Sequence, residues 1–207
     1  MKKRTQHGFT LYELLITCLI LGVILVMGVP NMVVFTKNSR MTSTANDLLS
    51  AFQRARNESA RAKAAITICA SANPFTAPAC DGTWNQGYII FTDDNVNGVD
   101  DASDGNIAVD AGEAVLYAEG PVADGVSMAA ANGATYFSYA STGLGRGDVN
   151  GPALSQVMMC DERGNASGPG GDSTARLFVA TPLGRATIVR DKARVTQALI
   201  DTGLPCP

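Results

Sequence analysis

Histidine is almost absent from this 207-residue chain: its one copy, His7, stands ahead of every structured-looking segment. Nothing beyond residue 7 can supply an imidazole, which excludes Ser-His-Asp and Cys-His catalytic arrangements and leaves no zinc pattern. Lysine and arginine are missing between Lys63 and Arg146, whereas ten Asp and Glu occupy that interval, from Asp81 to Asp124. Such a region repels nucleic acid and favours cations or a basic partner. Alanine does not occur before Ala45, so the small-residue cleavage site of a secretory signal is not found near the first apolar run. Phosphate loops are also lacking. Gly143-Leu144-Gly145-Arg146-Gly147 and Gly168-Pro169-Gly170-Gly171 have the glycines but neither the lysine nor the strand-to-helix setting, and they read as turns.

What is present begins with an uncharged run from Leu14 to Phe35. At about 1.5 Å per residue a helix of this length crosses a hydrocarbon core of about 30 Å. Lys2, Lys3 and Arg4 precede it, which places the N-terminus in the cytoplasm and sends the remainder across the membrane. One acid, Glu13, sits at the head of the run. A mid-membrane acid costs roughly 2.5–3.5 kcal/mol and less toward the interface, so its presence calls for a role. After Pro30 the pattern becomes amphipathic, with Met41, Ala45, Leu48, Phe52, Ala55 and Ser59 along one side of a helix that should pack on a sheet. From Ala65 onward the periodicity shortens. Strands are expected at 65–70, 87–92, 114–118, 134–139, 156–160, 175–180 and 186–190, in antiparallel arrangement, and no further helical period is expected.

The start of the chain, Gly8-Phe9-Thr10-Leu11-Tyr12-Glu13, resembles the class III leader of type IV pilins and pseudopilins. The resemblance implies cleavage between Gly8 and Phe9 by a prepilin peptidase on the cytoplasmic face, methylation of the new terminus at Phe9, and Glu13 as the acid at the fifth mature position. Glu13 would then pair with the Phe9 amino group of a neighbouring subunit, an attraction far stronger in apolar surroundings than in water. Loss of Lys2, Lys3 and Arg4 leaves 13 basic and 19 acidic groups, a net charge of −6.

The run Ala55-Arg56-Asn57-Glu58-Ser59-Ala60, then Ile66-Thr67-Ile68-Cys69, Trp84-Asn85-Gln86-Gly87-Tyr88-Ile89-Ile90-Phe91-Thr92-Asp93 and Pro182-Leu183-Gly184-Arg185 are similar to the GspH/FimT group of minor pseudopilins. The implied fold is α+β and pilin-like: a leader over 1–8, a membrane or filament-core helix half over 9–30, an amphipathic half over 31–64, and a β head over 65–207. The implied function is that of a minor pseudopilin in a type IV pilus or type II secretion pseudopilus, at the tip or initiation complex, and not that of an enzyme. Its partners would be other minor and major pilins or pseudopilins, the prepilin peptidase and the inner membrane. The helix would be single-pass, with the head in the periplasm until assembly carries it into an extracytoplasmic filament.

Cys18 lies in the membrane run and is expected to stay free. Cys69, Cys80, Cys160 and Cys206 are exported to an oxidising space, where an even set reads as disulfides with three possible pairings. Cys69 with Cys80, across a closable loop, and Cys160 with Cys206, tying down the tail, are favoured. Two further readings stay open. Asp93, Asn95, Asn97, Val99, Asp101 and Asp104 fall at ligand positions of a calcium loop with Gly98 at its turn, or else form an exposed turn whose side chains bond their own backbone. Arg185, Arg190, Lys192 and Arg194 form a dispersed basic segment. Some relatives bind DNA through such a segment during uptake for transformation, and here it equally reads as solvated charge.

Overall fold

The computed structural model describes residues 8–93, 107–110, 112–149 and 151–206. They divide at Ser39 and Arg40 into two units. Helix α1, Leu11–Ala62, supplies the first unit and the opening of the second, and Pro30 lies inside it. Proline has no N–H to give the carbonyl four residues back; the helix runs on regardless. It ends as Lys63 turns into the left-handed region at φ 54°, the conformation with which many helices stop.

The second unit is built on two four-stranded antiparallel sheets. The first has the order β3-β2-β1-β5 and the second β4-β6-β7-β8. The strands are β1 Ile66–Ala70, β2 Tyr88–Thr92, β3 Val115–Glu119, β4 Val126–Ala130, β5 Tyr136–Tyr139, β6 Gln156–Asp161, β7 Arg176–Ala180 and β8 Ala186–Val189. All seven expected strands are present, within a residue or two at their ends. Register is regular between β1 and β2, where Ile68 faces Ile90, and shifts at Ile90/Phe91 where β2 meets β3.

The amphipathic stripe of α1 is the spine of the core: Met41, Ala45, Leu48, Phe52, Ala55 and Ser59 are all buried. They pack against inward residues of both sheets, Ile66, Ile68, Ile90, Phe137 and Tyr139 from the first and Val157, Met159 and Phe178 from the second. Phe52 is the hub, with ring centroids 4.6 Å from Phe178, 5.5 Å from Phe137, 6.4 Å from Tyr139 and 6.5 Å from Trp84. The buried Ser59 hydroxyl donates to the Arg56 carbonyl at 2.8 Å, a local bond that relieves the cost of burying it.

Three expectations are corrected. The head has two sheets where one was expected. A strand is added, β4, which pairs with β6 from Val126↔Asp161 to Ala130↔Val157. A second helix also exists, α2, Lys192–Thr202, N-capped by Asp191, whose side chain accepts from the Arg194 N–H at 2.9 Å, and closed by Gly203 at φ 62°. Its buried Val195 and Ala198 cover the outer face of the second sheet with Met158, Cys160, Leu177 and Val189. Glycine is required at Gly184 (φ 72°), where a Cβ would stand 2.4 Å from the Gly143 carbonyl oxygen.

Candidate functional site

The head of α1 is fixed by two residues that bond reciprocally. Thr10, one position before the helix, receives the Glu13 backbone N–H on its hydroxyl at 3.2 Å. Glu13 Oε2 in turn accepts the Thr10 backbone N–H at 3.0 Å and its hydroxyl at 3.1 Å. This is a capping box, which satisfies orphan donors of the first turn from both sides. The T-x-x-E signal ahead of an apolar run is legible in the sequence. Gly8 and Phe9 immediately precede this box, outside any helix or strand, and Phe9 is 80% exposed.

Beyond the box, every large apolar side chain described from Leu11 to Phe35 is exposed within the chain, and the helix is long and apolar enough to cross a membrane. Exposed apolar surface of this extent marks a lipid or protein contact. The polar groups within the run are closed off locally, as apolar surroundings demand: Thr17 donates to the Leu14 carbonyl and Thr36 to that of Met32, both at 2.9 Å.

On the head, four cysteines are joined as Cys69–Cys80, with Cα atoms 5.4 Å apart, and Cys160–Cys206, at 5.6 Å. Cys18 is free and exposed. The first bridge covers the outer face of the first sheet beside Ile89, Phe91 and Tyr136. The second anchors the segment after α2 to β6.

Of the calcium-loop positions, Asp93 is described, and Asn95, Asn97, Val99, Asp101 and Asp104 lie outside the described residues. Asp93 is already engaged. Its Oδ2 accepts from Arg146 Nη1 at 2.8 Å and from the Thr67 hydroxyl at 2.7 Å, in a pair only 12–13% exposed on either side. Among the described residues no group of three or more His, Cys, Asp and Glu converges as a metal cage.

The basic segment is spread over the two ends of β8 and the start of α2. Arg185 stands at one end of β8 and Arg190 at the other, about 16 Å of strand apart. Lys192 and Arg194 belong to the first turn of α2, and Lys192 Nζ donates to the Ser167 hydroxyl at 2.6 Å.

An apolar, exposed helix headed by a capping box and followed by a disulfide-stapled head of two antiparallel sheets defines a pilin-like subunit. The model of the prokaryotic N-terminal methylation motif matches residues 3–29, and that of the type II transport protein GspH matches residues 44–188. The chain belongs to the GspH family, and it is a minor pseudopilin of α+β, pilin-like fold. Among solved structures it is similar to the type IV minor pilin FimU of Pseudomonas aeruginosa (strain PAO1) in two crystal forms. One match has a TM-score of 0.46 at 16% identity, covering 84% of this chain and 96% of FimU. The other has a TM-score of 0.44 at 13% identity, covering 80% and 96%. No curated protein matches the sequence. Nothing in these comparisons supports DNA uptake.

Proposed function

We propose that the chain is exported to the inner membrane with its head in the periplasm, cut between Gly8 and Phe9 by a prepilin peptidase, methylated at Phe9, and drawn into a pilus or secretion pseudopilus at its tip or initiation complex. The observation that carries the reading is the capping box at the head of a helix whose described large apolar side chains from Leu11 to Phe35 are exposed. Cleavage would create an ammonium group at Phe9, one residue from Thr10. Glu13 accepts two bonds from Thr10 through Oε2, and a carboxylate has about four acceptor sites, so capacity remains for the Phe9 amine of a neighbouring subunit. In apolar surroundings that attraction greatly exceeds its strength in water, and it would set the axial register of the filament. The role is one of assembly rather than catalysis.

Glu13→Ala and Thr10→Ala separate pairing from capping. Loss of a cap costs about 0.5–2 kcal/mol of helix stability, and either substitution removes it. Glu13→Ala should leave cleavage of the leader intact and abolish incorporation into filaments, whereas Thr10→Ala should still be incorporated. Equal incorporation of both variants, measured by immunoblot of sheared filaments against membranes, would overturn the pairing role.

A further inference from the structure

The head carries a small acidic pocket, unrelated to the processing site, between α1, the end of β3 and the start of β4. Asp47 and Ser43 of α1 stand at its rim with Glu119, while Val122, Met128 and Tyr88 are among the residues that line it, in a volume of about 240 Å³. That is below the roughly 300–1,000 Å³ of sites for drug-sized ligands, and suits one side chain.

Tyr88 is 2% exposed and its hydroxyl has no hydrogen-bond partner among the described residues. A buried polar group in that state is costly, and each such group asks for an explanation. Tyr88 lines the pocket together with Asp47 and Glu119; burial, and then the nearby Glu119, Tyr117 and Asp47, push the phenol pKa above its ordinary value. Both acids keep acceptor capacity: Glu119 Oε2 takes the Tyr117 hydroxyl, and Asp47 Oδ2 takes that of Ser43 at 3.2 Å. The Arg54 guanidinium lies over the Tyr117 ring at 4.3 Å.

We infer that this pocket receives the ammonium group of a lysine side chain presented by another polypeptide, held by Asp47, Glu119 and the Tyr88 hydroxyl. An ammonium offers three donors around a point charge, which suits acceptors converging from separate elements, whereas the planar guanidinium fork prefers one carboxylate. Met128 and Val122 supply apolar wall for the methylene stem. Among the described residues no third carboxylate joins these two to hold a divalent cation. The chemistry of the pocket stands independently of filament assembly; only the expectation that the lysine belongs to a neighbouring subunit rests on that reading.

Trp84, the sole tryptophan, has its ring 6.2 Å from Tyr88 and serves as reporter. The full chain in non-ionic detergent is titrated at constant ionic strength with n-butylammonium, with 1-butanol, and with the blocked peptide acetyl-Gly-Lys-Gly-amide. A saturable change in emission with butylammonium, at least tenfold weaker with butanol, is expected. It should weaken at least tenfold in the Asp47→Asn/Glu119→Gln double variant and severalfold in Tyr88→Phe, which keeps the ring. Near-UV circular dichroism verifies the fold, and should the double variant fail to fold, Glu119→Gln alone takes its place with the same expectation. No saturable response, an equal response to butanol, or unchanged affinity in the variants overturns the site. Binding of butylammonium with exclusion of the peptide overturns the polypeptide lysine as occupant in favour of a free amine.

Discussion

Phe52 should be the most costly single truncation in the head. It is fully buried and belongs to α1, yet its ring touches Phe137 and Tyr139 of the first sheet and Phe178 of the second. Truncation of a buried Phe to Ala costs about 3–5 kcal/mol, part transfer and part cavity. Each aromatic pair adds about 0.5–1.5 kcal/mol beyond area, and four rings surround this one. Both sheets also close on the site, which limits collapse. Phe52→Ala should therefore fall near the top of the range, about 4–5 kcal/mol, out of a total of roughly 5–15 kcal/mol for a domain. Phe52→Leu, which keeps much of the volume, should cost about 1–1.5 kcal/mol. Urea unfolding of the full chain in non-ionic detergent, followed by Trp84 emission, reads both. A loss below about 1.5 kcal/mol for the alanine variant, or equal losses for the two, would refute the hub.

Other consequences follow from charge, covalent links and phenol burial. In the chain-entropy relation the Cys160–Cys206 bridge, with a separation of 46 residues, constrains the unfolded chain by about 4 kcal/mol, and the 11-residue Cys69–Cys80 link by about 2.8 kcal/mol; Cys160→Ser/Cys206→Ser should lower the urea midpoint more than the other double replacement. Asp93 and Arg146 form a nearly buried pair, so Arg146→Met alone should cost about 3 kcal/mol by stranding a carboxylate, and Asp93→Asn/Arg146→Met clearly less than the sum of the singles; additive losses would contradict this. Burial raises the phenol pKa of Tyr88 and of Tyr139 in the folded state. Unfolded tyrosines lose their protons near pH 10, so the unfolded chain binds fewer protons above that point. Stability should be flat to about pH 9 and fall from pH 10 upward, and rising stability in denaturant titrations over that window would contradict the burial.

The parts of the fold that were legible in the sequence are those where a local pattern and the tertiary demand coincide. Met41 to Ser59 sets a helical stripe because one face meets a core, and the runs Ile66–Ala70 and Tyr88–Thr92 are apolar at nearly every position because the first sheet is covered on both faces. β4 escaped notice because Val-Ser-Met-Ala-Ala carries a single β-branched residue; its conformation is set by pairing with β6. α2 escaped because only Val195 and Ala198 are buried in it, too thin a stripe to announce a period, although Asp191 and Gly203 were readable caps. That the head has two sheets lies in non-local pairing, such as β4 skipping β5 to reach β6, and no local pattern encodes it. At the site, Gly8, Phe9 and Glu13 were visible as residue types, whereas the engagement of Asp93 with Arg146 depends on partners 53 residues apart.

The most direct test of the account is the intact mass and N-terminal sequence of the protein taken from membranes of cells with and without the prepilin peptidase, read beside its thiol count. The account predicts a chain that begins at N-methylated Phe9, carries one free thiol at Cys18 and two disulfides, and accumulates uncut when the peptidase is missing. A chain that begins at Met1 in cells with an active peptidase would contradict it.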